Sequence, residues 1–276
     1  MQKGIINGNP ESLTKCQEIL QLSSEKPVYE VLRVINKQPL FINEHLHRLQ
    51  QSCKNKNIAP PNQKLITKSI TRAINENNII QGNIRIDYFY AEEKKCLQVY
   101  PISFHYPTLE QYKYGVSTTV LYLERPNPTS KIWRADLRAV ENAIIEEQKV
   151  YEVILVNNQE FITEGSRSNI FFTDSQSNLV TPPADMALPG ITREKIIQLC
   201  KKFGIKFYEQ KISINAMSKY EGAFLTGTSP KVLPIKNIDI HQYDVNNRVI
   251  RILMNAFDEM IRNETGTDAT NPGIEN

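Results

Sequence analysis

The segment from Phe161 to Ile197, FITEGSRSNIFFTDSQSNLVTPPADMALPGITREKII, carries two chemically different groups within a short length of chain. Glu164 places a carboxylate in a tight polar turn that leads into an apolar strand. Gly190 to Arg193 place a Gly-Ile-Thr-Arg step at the start of a predicted helix. A carboxylate can pair with a cationic ring, and the N–H groups of a helix start attract an anion. The segment therefore predicts a site for a ligand with a basic ring and an acidic substituent, although a turn carboxylate in water is the alternative for Glu164.

Two stretches of small residues are candidates for the anion. Ile191 and Thr192 follow Pro189-Gly190, which breaks the chain before the predicted helix and leaves the first N–H groups without intrahelical partners. Thr228, in LTGTSPKVLPI, lies in a second small-residue loop after a predicted strand, where hydroxyl and N–H groups can close a phosphate cup. The alternatives are a plain helix cap for the first stretch and an ordinary turn for the second.

Two basic side chains complete the set. Arg48 lies on a predicted helix after Asn-Glu-His, and a guanidinium suits a phosphate better than an ammonium does; the alternative is a surface arginine. Lys131 follows the Pro-rich stretch ERPNPTS and opens a predicted helix, where burial and a neighbouring cation can lower the pKa of its amine. A pyridoxal phosphate enzyme needs such a lysine for a Schiff base, an acid beside the ring nitrogen and a phosphate cup. The five features together therefore suggest pyridoxal 5'-phosphate as the cofactor.

The composition narrows the class of protein. A net charge of +3 without a long basic stripe argues against nucleic-acid binding. No apolar run approaches the ~20 residues that span a bilayer, and the N-terminus has no signal-peptide pattern, so no membrane is expected and a cytoplasmic location is the default. The four cysteines are far apart and form no CxxC pair, so neither a metal site nor a disulfide framework is predicted.

Strand-like and helix-like segments are mixed without strict β-α-β alternation, which predicts an α+β fold in two domains. The Pro-rich residues 124–130 are the expected interdomain loop. This divides the chain into a smaller N-terminal α+β domain, residues 1–123, and a larger C-terminal α+β domain, residues 131–276. The polar end of the second domain is predicted to be disordered from about residue 264.

The motifs occur in a recognisable order: HLHRL, then Ser-Lys at Lys131, then TEGSRSNIF, LPGITR and TGTS. This order, spread over residues 28–234, resembles the class IV, or fold type IV, pyridoxal phosphate-dependent aminotransferase family. That family includes branched-chain aminotransferases, D-amino acid aminotransferases and aminodeoxychorismate lyases. The opening VYEVLRV with INEHLHRL resembles the D-amino acid branch, whereas LPGITR and TGTS resemble the branched-chain branch.

The resemblance implies a role for each candidate residue. Lys131 matches the Schiff-base lysine and Glu164 the partner of the pyridine nitrogen. Four residues match the phosphate cup: Arg48, Ile191, Thr192 and Thr228. The family fold, of the D-amino acid aminotransferase type, has two α+β domains with the cofactor between them, and its members are usually homodimers.

The chain also departs from the family pattern. After the lysine, KIWRADLR has Arg134 and Asp136 near positions that usually hold asparagine and tyrosine, and Trp133 either fills the space of the missing tyrosine or belongs to the core. Residues 83–105 lack both the Arg-x-His and the Arg-Gly features of relatives. Tyr29 and Arg33 match positions that line the substrate pocket, with Arg33 expected either to bind a substrate carboxylate or to face solvent.

The expected function is amino-group transfer between an amino acid and a 2-oxo acid, with the Schiff base on Lys131. The first alternative is an aminodeoxychorismate lyase, which would use the same lysine and cofactor to release pyruvate. The second is a non-catalytic cofactor-binding protein on the same fold, favoured only by the altered segment after Lys131. The substrate, its stereochemistry and the pathway do not follow from the sequence.

Overall fold

The computed structural model describes residues 2–23, 25–91 and 94–266. These residues divide into two compact units. The first takes residues up to His105 together with Ser130–Arg134, and the second takes Tyr106–Thr129 and Ala135–Arg262. One boundary, between Thr129 and Ser130, falls inside the expected loop at 124–130. The boundaries after His105 and after Arg134 lie outside that loop, because backbone pairing assigns the intervening segments to the unit with which they hydrogen-bond.

In the first unit, one antiparallel sheet in the order β2-β1-β6-β5-β3-β4 packs against helices. In chain order its elements are β1 (Lys3–Ile6), β2 (Asn9–Ser12), α1 (Leu13–Leu22), β3 (Val28–Ile35), β4 (Gln38–Pro39), α2 (Ile42–Asn55), α3 (Gln63–Glu76), β5 (Gln81–Ala91) and β6 (Lys94–Ile102). Strands β3 and β4 form a hairpin across Asn36-Lys37, and both turn residues have positive φ, 51° and 62°.

The two faces of this sheet differ in chemistry because side chains alternate along each strand. Val28, Leu32 and Val34 of β3 join the hydrophobic core, together with apolar residues of α2 and α3. The intervening residues Tyr29 and Arg33 lie on the other face, where polar side chains of β5 and β6 are also buried. The first unit therefore presents one polar, buried sheet face.

The second unit is built on a mixed sheet in the order β12-β11-β10-β14-β15-β7-β8-β9-β13, with β16 paired to β15. In chain order its elements are α4 (Leu109–Tyr114), β7 (Val116–Tyr122), α5 (Ala135–Gln148), β8 (Glu152–Val156), β9 (Phe161–Gly165), β10 (Asn169–Thr173), β11 (Leu179–Thr181), α6 (Ile191–Phe203), β12 (Phe207–Glu209), β13 (Ile212–Ser213), a 3-10 helix (Ile214–Lys219), β14 (Gly222–Gly227), β15 (Lys231–Ile238), β16 (His241–Gln242) and α7 (Arg248–Thr265). Strand β7 pairs in parallel with β8 and β15, which is why residues 106–123 belong here rather than to the N-terminal domain.

The ends of two helices differ from expectation. Helix α5 begins at Ala135, not at Lys131, because residues 131–133 are extended along β3. Helix α7 continues to Thr265, so the start of the predicted disordered tail is helical, and the rest of that tail, from residue 267, lies outside the described residues. Within the described part of the chain, no helix combines the length and hydrophobicity needed to cross a bilayer.

Candidate active site

Arg48 of α2 is held by a buried carboxylate of β3. Its Nε donates to Glu30 Oε1 and its Nη2 to Glu30 Oε2, each at 2.7 Å. His45 Nδ1 lies 2.8 Å from Glu30 Oε2. All three side chains are buried, with Arg48 only 7% exposed. Arg48 is therefore a fixed internal guanidinium and not the surface arginine of the alternative interpretation.

Charge pairing decides the protonation of this network. Burial by itself would raise the pKa of the Glu30 carboxyl, but Arg48 and His45 together hold that pKa well below its usual range. Burial lowers the pKa of His45, and the nearby cations of Arg48 and Lys131 act in the same direction against the attraction of Glu30. Glu30 is thus an anion that neutralises and orients Arg48.

Lys131 lies in the first unit, where backbone bonds fix its position. Its N–H donates to Ser52 Oγ at 3.1 Å, and its carbonyl accepts from Tyr29 N–H at 2.9 Å. The next residue, Ile132, forms a bridge with Val28 at the start of β3. Lys131 Nζ lies 4.9 Å from the centroid of the Tyr29 ring. The lysine is therefore placed by strand-like pairing with β3, on the side that carries Tyr29.

Tyr29 and Trp133 form an aromatic pair beside this lysine. Their ring centroids are 5.5 Å apart in an edge-to-face arrangement. The guanidinium carbon of Arg85 lies 4.2 Å from the Trp133 ring centroid and 4.9 Å from that of Tyr29. Trp133 thus contacts Tyr29 and Arg85, and Arg85 is a site candidate that the sequence reasoning missed. The available signal was its position two residues before Asp87 in a strand-like segment, which places both side chains on one face of the sheet.

Arg33 is buried and does not face solvent. It is 5% exposed and lies on the same sheet face as Tyr29, paired across the strands with Asn83. Of the two alternatives for Arg33, exposure on the surface is wrong. A role in binding a substrate carboxylate stays a prediction.

Glu164 is a buried carboxylate of the second unit, 2% exposed, and not a turn side chain in water. Arg125 Nη1 donates to its Oε1 at 2.5 Å. The backbone N–H of Leu188 donates to its Oε2 at 3.0 Å. Because Leu188 lies just before Gly190, this bond links the carboxylate to the chain that enters helix α6.

The turn after Glu164 is built around a second buried acid, Glu152 of β8. Glu152 Oε1 accepts from Arg167 N–H and, at 3.1 Å, from Ser168 Oγ. Burial raises the pKa of Glu152, and the Arg167 N–H acts against that rise. Glu152 was also missed, since a glutamate at the start of an apolar strand gives no sequence signal of its partners.

Helix α6 begins at Ile191, and its N-cap residue, Gly190, supplies no side-chain hydrogen bond to the first turn. Ile191 and Thr192 are buried in its first turn, 7% and 5% exposed. Asn169 donates through Nδ2 to Leu188 O at 2.8 Å, and its Oδ1 occupies the place where a Cβ of residue 190 would stand. The residue must therefore be glycine, and within the described chain the first N–H groups of α6 have no side-chain acceptor.

Thr228 follows β14 in a half-buried turn. In the register of β10 with β14, Asn169 pairs with Thr226, whose buried hydroxyl has no hydrogen-bond partner among the described residues. The loop of Thr228 and the start of α6 therefore meet the same end of these two strands. Within the second unit, the structure brings together Glu164, Ile191, Thr192 and Thr228 around one strand end and one helix start. Arg48, Lys131, Tyr29 and Arg33 belong to the first unit.

Known proteins resemble this chain over most of its length. The model of the family described as "Amino-transferase class IV" matches residues 27–238, more than half of the chain. A protein of Thermotoga maritima named as a probable branched-chain-amino-acid aminotransferase is 28% identical over 258 residues, covering 89% of this chain and 90% of that protein.

Two solved structures share the fold. A protein of Mycobacterium tuberculosis described as a hypothetical aminotransferase, solved in its PLP-bound form, has a TM-score of 0.78 at 17% identity and covers 94% of this chain and 98% of that one. A protein of Legionella pneumophila described as a 4-amino-4-deoxychorismate lyase has a TM-score of 0.75 at 18% identity, covering 85% of this chain and 91% of that one. The fold is therefore the α+β fold type IV. On the match to the family model, the chain belongs to the class IV amino-transferase family.

Proposed function

We propose that the chain is a pyridoxal phosphate-dependent aminotransferase that moves an amino group between an amino acid and a 2-oxo acid. The observation that carries this proposal is the hydrogen bond from Leu188 N–H to Glu164 Oε2. It joins a buried carboxylate to the entry of an uncapped helix, which are the acid and the anion site that the two ends of this cofactor require. The names of the curated relative and of the solved aminotransferase support the same reaction class.

The donor set of the chain fits this cofactor. Ile191 and Thr192, in the uncapped first turn of α6, would bind the phosphate, with Thr228 closing the cup. Arg48, oriented by Glu30, would add a positive charge toward the phosphate. Glu164, itself held by Arg125 and Leu188, would keep the ring nitrogen protonated.

Lys131 would hold the cofactor through Nζ and then act on the proton. Pyridoxal phosphate, when bound, supplies an electron sink for the negative charge that develops at the substrate Cα. Displaced by the incoming amino acid, Lys131 Nζ would take the Cα proton as a general base and return it as a general acid. The aromatic ring of Tyr29 beside Nζ would restrict where that amine can move.

A half-reaction screen tests the proposal. Purified protein loaded with pyridoxal phosphate is mixed with single L- and D-amino acids, and the visible absorbance of the bound cofactor is followed with the 2-oxo acid formed. A loss of absorbance with stoichiometric 2-oxo acid is expected for at least one amino acid.

Lys131→Ala should lose the wild-type absorbance band, whereas Lys202→Ala, at an exposed lysine of α6, should keep it. A Lys131→Ala protein with an unchanged band would show that another lysine holds the cofactor. A wild-type band that no amino acid changes would favour the non-catalytic alternative, and a wild type without any band would contradict the role of Lys131.

A lyase is the second candidate because a solved neighbour is described as a 4-amino-4-deoxychorismate lyase. It would use the same Lys131 but release pyruvate. Amino transfer to 2-oxoglutarate and to 2-oxo acids with uncharged side chains is measured on the same preparation as pyruvate release from aminodeoxychorismate. Transfer without elimination ends the lyase proposal.

Two further expectations belong to the same proposal. A homodimer and a cytoplasmic location both come from the resemblance and the composition. Sedimentation velocity of the loaded protein measures the first, and fractionation of cells that express the natural chain measures the second.

A further inference from the structure

Arg85 of β5 is paired with an acid on its own strand. Its Nε donates to Asp87 Oδ1 at 3.0 Å and Oδ2 at 2.9 Å, and its Nη2 donates to Oδ1 at 2.8 Å. Tyr100 of β6 donates its hydroxyl to Asp87 Oδ2. Arg85 is 8% exposed and Asp87 is fully buried. The guanidinium is thus fixed in orientation by a carboxylate that is itself fixed by Tyr100.

This ion pair lies close to the proposed catalytic lysine. The Arg85 guanidinium carbon and Lys131 Nζ are each 4.9 Å from the centroid of the Tyr29 ring. The guanidinium also packs at 4.2 Å from the Trp133 ring centroid. The two cations therefore contact the same aromatic ring. A substrate that reacts at Lys131 would lie close to the ion pair of Arg85 with Asp87.

A buried guanidinium beside a substrate would ordinarily attract a carboxylate, since the planar fork matches it in geometry and charge. Here Asp87 already occupies that fork, and burial strengthens the pairing because little water competes for it. Burial lowers the pKa of Arg85, but the adjacent Asp87 outweighs it and the pKa is raised. The pair is therefore neutral as a whole, and a second substrate carboxylate placed there would meet Asp87 with like charge.

We propose that Asp87 is a specificity-determining residue that directs the enzyme toward amino acids with uncharged side chains and against those with a second carboxylate. This proposal rests on the proposed aminotransferase function. Arg33, the other buried arginine of the same sheet face, is expected to meet the carboxylate that every amino acid carries, so it does not discriminate between these substrates.

The test compares amino acids of matched shape and different charge. Half-reaction rates of the loaded enzyme are measured with glutamine against glutamate and asparagine against aspartate, in both enantiomers. The wild type should react faster with the uncharged member of each pair that reacts at all. Asp87→Asn should raise the rate ratio of charged to uncharged member by about tenfold, the value of one charge-assisted hydrogen bond. The double variant Arg85→Gln with Asp87→Asn should lose that gain, because the receiving cation is gone.

Asp174→Asn is the matched control, since Asp174 accepts turn hydrogen bonds in the β10–β11 connection of the second unit. Its rate ratios should equal those of the wild type. A wild type that prefers the charged members overturns the inference without any variant, and so does an Asp87→Asn ratio within about twofold of the wild type. A wild type that reacts with no amino acid in the full screen instead contradicts the proposed function, so the two failures are distinct.

Discussion

Gly165 lies so close to Glu152 that a Cβ on the glycine would stand 2.6 Å from Glu152 Oε1. The same carboxylate oxygen accepts the N–H of Arg167, so the missing side chain of Gly165 is what lets a buried acid hold the turn that follows Glu164. A glycine on the strand next to that acid thus governs the geometry of a proposed cofactor contact.

Replacing Gly165 with alanine should destabilise the protein. The added methyl would collide with Ser168 Oγ and Glu152 Oε1, both of which would have to move, and overpacking of this kind costs about 1–3 kcal/mol. Urea unfolding followed by tryptophan fluorescence and circular dichroism measures the change. Gly82→Ala is the control, because its Cβ would meet only side-chain atoms at 3.2 Å or more. Equal stability of both variants and the wild type would contradict the close packing at Gly165.

Glu164→Gln should slow the half-reaction while leaving the cofactor bound. A glutamine amide keeps one oxygen that can accept a hydrogen bond from Arg125 or Leu188. Because the amide has no negative charge, it does not stabilise a protonated ring nitrogen, so the rate of the half-reaction is expected to fall about 10²-fold. Stopped-flow absorbance gives the rate. Glu160→Gln, on the turn that precedes β9, should react like the wild type. A Glu164→Gln rate within a few fold of the wild type would remove Glu164 from the proposed role.

Gly190→Ala should weaken binding of pyridoxal phosphate more than binding of pyridoxal. The methyl would collide with Asn169 Oδ1 and shift the first turn of α6, whose N–H groups are the proposed phosphate donors. Equilibrium titration with both forms of the cofactor separates the phosphate contribution from general damage to the fold. If affinity for the two forms falls by the same factor, the helix start does not bind the phosphate.

Glu30→Gln should cost stability in a pH-dependent way. Its pKa is lowered in the folded state, so the native protein binds fewer protons at this site than the unfolded chain does, and the stabilisation is present above the unfolded value of about 4.3. The variant should lose about 3–5 kcal/mol at neutral pH, as expected when one partner of a buried ion pair is removed.

The difference between wild type and Glu30→Gln should shrink as the pH falls below the unfolded pKa toward the lower folded pKa. Urea unfolding across the acid range measures it. Glu76→Gln, which breaks an exposed pair with Lys3, should change stability little at any pH. A Glu30→Gln deficit that stays constant with pH would mean that packing rather than charge holds Arg48.

Much of the candidate site could be predicted from the sequence because short local segments form it. A glycine before a helix, a small-residue loop after a strand and a carboxylate in a tight turn are each short segments whose conformations follow from neighbouring residues. Helix α6 begins at Gly190–Ile191 as the Pro-Gly break predicts, and Gly204 ends it with a φ of 67°. The hairpin at Asn36-Lys37 has the same origin, since two residues with positive φ suffice to reverse the chain.

The remaining features depend on residues distant in the chain. Lys131 lies in an extended segment because β3 supplies its backbone partners, although the helical pattern after it extends back to the lysine. Arg48 is buried because Glu30 neutralises its charge. The distance between the two residues in the sequence does not predict that they form a pair. The ion pair of Arg85 with Asp87 is local in the sequence. The burial of Arg85, by contrast, depends on its long-range contacts with Tyr29 and Trp133.

The sequence by itself thus determined the family, the order of the cofactor motifs and the local turns and helix starts, because short-range backbone preferences and residue types decide these. Tertiary structure alone decided which charges are buried and what neutralises each of them, since a pKa or an ion pair is set by neighbours that the fold brings in from other strands. Glu164, Arg48 and Arg85 are each fixed in position by a charged partner that the tertiary structure places beside them.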